Sequence, residues 1–176
     1  DPLHRVKRVR HYDAVRHTPE GASAFDNGCA RCGDPNDGCE GPARRTHCRQ
    51  CGLRLPRPMV RRNGGWVLTQ GFRTSYKRMA WDKPAPTVTK NFMTPSSDYK
   101  LHPEQNRTLS PAEAATLQTV DRYAYDWGEK PTDRVLCDAL GEAVPPLFFE
   151  KLTRHLKEVS WGSIGSQDGL IDASQD

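Results

Sequence analysis

The chain has 176 residues, 35% hydrophobic and 27% charged, enough for one domain with a modest core or one domain and a small appendage, and short for a complete multi-substrate enzyme. No stretch approaches the ~20 apolar residues of a membrane helix, and Asp1-Pro2-Leu3-His4 opens no signal-peptide apolar run, so a chain of the cytoplasm without membrane contact is expected. The formal charge of +4 divides unevenly: residues 1–90 carry 18 Lys and Arg against 8 acids, and residues 91–176 carry 8 against 14, so the first half reads either as a polyanion-binding surface or as a solvated face.

Residues 1–28 form a basic lead-in in which Tyr12, Val15 and Phe25 are too sparse to set a period. Residues 29–56 then hold five of the six cysteines. Cys29-Ala30-Arg31-Cys32 and Cys48-Arg49-Gln50-Cys51 are two C-x2-C pairs fifteen residues apart, each followed by glycine (Gly33, Gly52). That spacing is a zinc knuckle: each tight turn aims two thiolates at one ion, and the glycine lets the backbone curl around the sulfurs. Two disulfides are the competing reading; they belong to small secreted domains, and C-x2-C cysteines chelate more readily than they bridge. Cys39, inside the intervening loop, and His47, beside Cys48, could each replace a ligand but read as bystanders. Four thiolates, Cys29, Cys32, Cys48 and Cys51, fill a tetrahedral shell and leave no place for a reactive water, so a zinc ion here is structural. Seven arginines fall within residues 44–62 without one acid (Arg44, Arg45, Arg49, Arg54, Arg57, Arg61, Arg62).

Residues 57–109 read as a small, β-rich unit. Met59-Val60-Arg61-Arg62 and Trp66-Val67-Leu68-Thr69 flank Asn63-Gly64-Gly65, a hairpin signal. Pro84, Pro86 and Pro95 make residues 82–103 extended, with one short strand at Thr87-Val88-Thr89. Residues 110–160 read as helical. Ser110-Pro111-Ala112-Glu113 is a complete capping box opening a helix to about Gln118. A linker carrying Cys137 leads to a second helix after Pro145-Pro146, with Phe148, Leu152, Leu156 and Val159 on one stripe and Lys151, Arg154 and Lys157 facing away. Residues 161–176 are a Gly, Ser, Asp and Gln tail expected to be mobile. The class is α+β.

Three ordered motifs carry a resemblance. Arg78-Met79-Ala80-Trp81-Asp82-Lys83-Pro84-Ala85-Pro86-Thr87-Val88-Thr89, then His102-Pro103-Glu104-Gln105-Asn106-Arg107-Thr108-Leu109-Ser110-Pro111-Ala112-Glu113 through Gln118, then Leu140-Gly141-Glu142-Ala143-Val144-Pro145-Pro146, resemble the C-terminal third of DNA cytosine-5 methyltransferases. The likeness covers residues 71–159, more weakly residues 1–25, and makes the knuckle an insertion. It implies that Thr87-Val88, with Thr89, stands in the target-recognition domain, the hydroxyl touching a phosphate beside a flipped cytosine. Arg107, Ser110, Glu113 and Gln118 would join that domain to the catalytic one. Gly141, Glu142, Ala143 and Val144 would lie beside the S-adenosylmethionine pocket, with Glu142 where the family usually has Asn.

The same family needs a cysteine in a Pro-Cys loop, a Glu-Asn-Val carboxylate and a Gly-rich cofactor turn, and this sequence contains none of them. The resemblance therefore implies the recognition half of a split enzyme, inactive alone. Its partner would be a catalytic subunit bearing the Pro-Cys loop and most of the S-adenosylmethionine site, in a bacterium or a phage-infected host. The C-terminal helices would dock on that partner's Rossmann-like domain. Double-stranded DNA would be gripped by Arg61, Arg62 and their neighbours, while Gln70 and Arg73, on the segment 70–77, suit adenine and guanine edges. Two alternatives stay open: a zinc-stapled DNA-binding module that has given up methylation, and an interaction protein whose arginines bind protein or RNA.

Overall fold

The computed structural model describes residues 2–35, 45–71, 74–97 and 99–162. Arg73, Cys39, Arg44 and the tail from residue 163 lie outside the described residues. The chain runs through α1 (Tyr12–Arg16), strands β1 (Met59–Arg62) and β2 (Gly65–Leu68), then α2 (Pro111–Leu117), α3 (Asp133–Glu142) and α4 (Pro146–Gly162), with single 3-10 turns at Pro2–His4, Ala24–Asp26 and Val120–Arg122. Among the described residues no helix is long and apolar enough to cross a membrane.

The hairpin forms as expected. Asn63 and Gly64 take φ of 48° and 79°, the paired left-handed conformation that a two-residue turn between twisted strands requires, and Gly65 joins the strand opposite Arg62. The expectation of a β-rich unit is corrected: among the described residues β1–β2 is the one sheet, accompanied by isolated bridges such as Arg78↔Leu101 and Leu101↔Thr108. Thr87-Val88-Thr89 is irregular rather than a strand. Pro84 and Pro86 supply no amide hydrogens beside it, and the Thr89 carbonyl is taken by a turn, accepting from Phe92 N at 3.0 Å.

Three small cores replace one. The largest gathers Met79, Val88, Phe92, Met93, Leu109, Ala114, Ala115, Val120, Cys137 and Leu140, so it is built by α2, α3 and the irregular segment between Met79 and Met93. A second joins the lead-in to the middle of the chain: Val9, Ala14, Val15, Ala24 and Phe25 pack on Tyr76 and Leu101. The third is Leu55 on Cys29 and Cys48. The lead-in is therefore folded over residues 9–25, although its apolar residues show no period, because their partners lie fifty or more positions away.

Arg78 holds the first two cores together. Its side chain is 3% exposed, and it donates from Nε to the Thr18 carbonyl (2.8 Å), from Nη1 to the His102 and Gln105 carbonyls (2.7 Å each), and from Nη2 to the Val15 carbonyl (2.7 Å) and Asn106 Oδ1 (2.8 Å). The planar guanidinium suits this cage of oxygens; burial lowers its pKa, yet it keeps its charge.

α2 begins with the expected box. Ser110 Oγ accepts from Glu113 N (3.3 Å), Glu113 Oε2 accepts from Ser110 N (2.8 Å), and Pro111 occupies the first turn. α3 occupies what the sequence presents as a linker. Thr132 caps it through Val135 N at 3.3 Å, and Leu136, Cys137 and Leu140 form its buried face. Cys137 is thus a small core residue, its thiol pushed up chiefly by burial.

Candidate functional site

The four knuckle cysteines converge. Their sulfurs all lie within 4.8 Å of one another, with Cys29 and Cys51 at 3.5 Å and Cys32 and Cys48 at 3.6 Å. A disulfide needs about 2.05 Å, whereas a tetrahedron with zinc–sulfur bonds of ~2.3 Å has edges of about 3.8 Å. The donor set and its spacing fit one dication.

The two knuckles repeat the same backbone pattern. Cys29 N donates to Asp34 O and Cys48 N to Leu53 O (2.8 Å each), while Gly33 N returns to Cys29 O and Gly52 N to Cys48 O (3.1 Å each). Gly33 and Gly52 sit at φ of 70° and 68°, so the glycine after each pair is the residue that closes the loop. Amides of Cys32 and Arg31 point at Cys29 and hold its thiol down at about 6. At Cys48 the amide of Cys51 acts in the same sense, but loss of water and the crowding Cys32 and Cys29 sulfurs outweigh it and push the thiol up to about 12. His47 is exposed, with Nδ1 at 2.9 Å from Thr46 Oγ1, and is no part of the cluster.

The arginine run divides. Arg57 is 5% exposed and structural: Nε donates to Asn27 O (3.0 Å) and Nη1 to Arg45 O (3.1 Å). Its place among phosphate-binding arginines is corrected, because its donors are committed to backbone carbonyls. Arg49, Arg54, Arg61 and Arg62 are exposed, as is Gln70. Sequence reading missed that Arg54 stacks on Trp66, its guanidinium carbon 4.2 Å from the ring centroid. The signal was there in part, since the Asn-Gly turn sets the register that places Trp66 opposite Arg61.

The Thr87–Lys90 segment and the Gly141–Val144 loop meet directly. Thr87 is exposed and Thr89 partly so, but Val88 is 4% exposed and packs in the main core, which removes its side chain from any DNA-contact role. Gly141 lies in the last turn of α3 against the backbone of Thr89 and Lys90, where any Cβ would overlap it. Glu142 is ion-paired with Lys90, and its hydrogen bond is the chief cause raising the Lys90 pKa. Gln118, buried at the end of α2, donates to the Leu140 carbonyl (2.9 Å) and the Ala143 carbonyl (3.2 Å). The junction Gly141, Glu142, Ala143, Val144 is therefore fixed by α2 on one side and by the Thr87–Lys90 segment on the other. Val144 stands 55% exposed, so one face of the loop is open.

Arg107 makes a bidentate pair with Glu113, both bonds at 2.6 Å. Burial by itself would raise the Glu113 carboxyl, but hydrogen bonds from Arg107 and the Ser110 amide, and the Arg107 charge, hold it at about 2. Beside this pair His102 accepts the Glu104 and Gln105 amides at Nδ1 (3.1 and 3.0 Å), and Trp81 packs edge-on against its ring. Together with Met79, Leu109 and Leu117 these residues line a cleft of about 840 Å³.

The chain belongs to the C-5 cytosine-specific DNA methylase family, which matches residues 43–158 and so includes the second cysteine pair. It is similar to the Type II methyltransferase M1.HgaI of Avibacterium volantium, 29% identical over 150 residues that make up 81% of this chain and 34% of that protein. The Type II methyltransferase M1.BsuMI of Bacillus subtilis is 33% identical over 84 residues, 48% of this chain and 19% of its own length. The Type II methyltransferase M.AquIB of Picosynechococcus is 29% identical over 103 residues, 51% of this chain and 68% of its own. The chain thus spans about a third or less of the first two relatives, whereas M.AquIB is itself shorter than this chain.

Proposed function

We propose that this chain is the DNA-recognition part of a cytosine-5 methyltransferase whose reactive thiolate and most of whose S-adenosylmethionine site stand on a separate catalytic chain. The observation that carries the reading is α4. Every residue from 148 to 160 is exposed, including Phe148 (60%), Leu152, Leu156 (56%) and Val159 (55%), on a helix tied to the body through its first turn by Leu147 N to Thr119 Oγ1 and Tyr123 Oη to Glu150, both 3.3 Å. A stripe of that length is unfavourable in water and fits the flank of a methyltransferase core. That M.AquIB is a short chain supports a division into two polypeptides.

The chemistry agrees. Addition to C6 of cytosine needs an accessible thiolate, and Cys137, the one cysteine outside the 29–51 segment, is buried with its thiol pushed up. S-adenosylmethionine, when bound, supplies the methyl group; this chain would offer it the Gly141–Val144 wall. Thr87 and Thr89 lie on a segment braced by Gly141, close enough in the fold for base contact and cofactor wall to be positioned together. Extruding a base costs a few kcal/mol, and the exposed arginines Arg49, Arg54, Arg61 and Arg62, with Gln70 and Arg73 for base edges, would offset it from the recognition side.

Glu142 favours one second reading, a DNA-binding module without methylation, because a carboxylate paired with Lys90 replaces an amide at the cofactor wall. Leu152→Asp with Leu156→Asp separates the two. Both positions are exposed, so the variant keeps its fold; its affinity for a family chain bearing Pro-Cys and Glu-Asn-Val falls at least 100-fold in sedimentation or calorimetry. Unchanged association, or none by the unmodified chain, counts for the module.

A further inference from the structure

We propose that the four thiolates bind one Zn2+ and that the ion seats the β1–β2 hairpin, making Arg54, Trp66 and Arg61 a metal-dependent contact surface for the phosphate backbone of duplex DNA. The DNA half of this inference rests on the function proposed above; the metal half stands on the knuckle alone.

The path from ion to hairpin is short and explicit. The second knuckle is the tip of a small ladder: Cys48 N bonds Leu53 O (2.8 Å), Leu55 N bonds Thr46 O (2.9 Å), and His47 bridges Arg54. Leu55, 1% exposed, turns inward onto Cys29 and Cys48, so sulfur positions and this side chain determine one another. Arg57, two residues on, spans the bases of both knuckles by bonding the carbonyls of Asn27 and Arg45. Asn27 in turn donates from Nδ2 to Pro56 O (2.6 Å) and Ala14 O (2.7 Å). Pro56, Arg57 and Pro58 lead straight into Met59, the first residue of β1, and the Pro58 carbonyl accepts Thr69 N at the far end of β2 (2.9 Å).

Among the described residues the core here is only Leu55, Cys29 and Cys48 with Cys51 packed against them, so the cross-link between knuckles is what a metal would supply. Zinc binding displaces the protons that the thiols still carry and leaves a tetrathiolate of charge −2. The exposed Arg31 and Arg49, one inside each C-x2-C loop, lie where they offset that charge, so the centre does not repel a phosphate.

The hairpin presents what a polyanion needs. Arg61 and Trp66 are directly opposite in the antiparallel ladder, so their side chains share one face. Arg54 comes from the knuckle stem onto that indole, which is 39% exposed, with its guanidinium carbon 4.2 Å from the ring centroid. Two arginines thus share one surface with a single aromatic ring, Arg54 stacked on it and Arg61 beside it in the ladder, and the orientation of that surface depends on the knuckle. Arg62 pairs with Gly65 and points to the opposite face, so it is not part of this patch. The arrangement carries no base-edge geometry and fits sequence-independent phosphate contact, with the indole free to stack on a sugar or base.

The test uses the full chain loaded with zinc and titrated against labelled duplexes of several sequences over a salt series. The expected results are one zinc per chain, a tetrahedral thiolate spectrum on Co2+ exchange, and duplex affinity that falls at least tenfold on chelation and returns with added zinc. Metal removal that unfolds the chain would lower binding trivially, so the deciding variant is Arg54→Gln with Arg61→Gln. It should keep its zinc and lose about 1.8 from the slope of log K against log salt, as two lost phosphate contacts require, equally for all sequences. Failure to take up zinc overturns the metal site. A metal-loaded double variant with the parental slope overturns the contact surface and leaves DNA recognition standing. A zinc-loaded chain that binds no duplex at any salt overturns this inference and the proposed function together.

Discussion

Arg78→Ala is expected to destabilise the chain by about 3–5 kcal/mol, a large share of the about 5–15 kcal/mol that holds a small domain together. The substitution removes a donor from the Thr18, Val15, His102 and Gln105 carbonyls and from Asn106 Oδ1, of which Val15 and Gln105 keep the Thr18 and Arg107 amides, inside a site where the arginine is 3% exposed. It also cuts the tie between the lead-in core and the main one. Urea unfolding followed by tryptophan fluorescence gives the size of the effect. Arg78→Lys is predicted to recover less than half, because one ammonium on a flexible stem cannot reach five acceptors placed around a plane. Full recovery by lysine would show that charge alone, not the fork geometry, is what the site requires.

Glu113→Gln is the second large effect, at about 2 kcal/mol. The carboxyl is held at about 2 against an ordinary 4.5, and its side chain is 32% exposed, so the linkage energy is discounted for solvent screening. The sign follows from the depressed pKa. The stabilisation is complete above pH 4.5 and is lost as pH falls from 4.5 toward 2, because protonation ends the bidentate pair with Arg107. Glutamine still caps α2 but cannot accept two charged bonds, so the variant should be weaker at neutral pH and lack this part of the acid-induced loss. A variant whose stability still falls in parallel with the parent between pH 4.5 and 2 would assign that transition elsewhere. Through α2 the effect reaches the Leu140–Ala143 turn, which Gln118 at the helix end braces.

What the sequence made legible was local. The Asn63-Gly64 turn and the Ser110–Glu113 box each specify their structure within a few residues and form as read, and the two cysteine pairs bring their four sulfurs within 4.8 Å of one another. The lead-in fold was hidden because Val9, Val15 and Phe25 find Tyr76 and Leu101 only in three dimensions. Helix α3 was hidden because its buried face is just Leu136, Cys137 and Leu140, too few for a period to emerge from an otherwise polar run. Arg57 and Arg78 look like surface charges in a basic half; irregular backbone turns many carbonyls inward, and only the folded chain shows that two guanidinium groups answer them. Thr87-Val88-Thr89 failed as a strand for want of a neighbour to pair with. The Lys90–Glu142 pair, which explains how an acid is accommodated at the last motif, joins residues too far apart in sequence to be anticipated.

The proposed division of labour is tested most directly by methyl transfer from tritiated S-adenosylmethionine to duplex DNA. This chain alone should transfer nothing above background. A catalytic chain carrying Pro-Cys and Glu-Asn-Val should gain sequence-selective activity when this chain is added, and lose that gain with the Leu152→Asp, Leu156→Asp variant. Transfer by the 176-residue chain on its own would contradict the account outright.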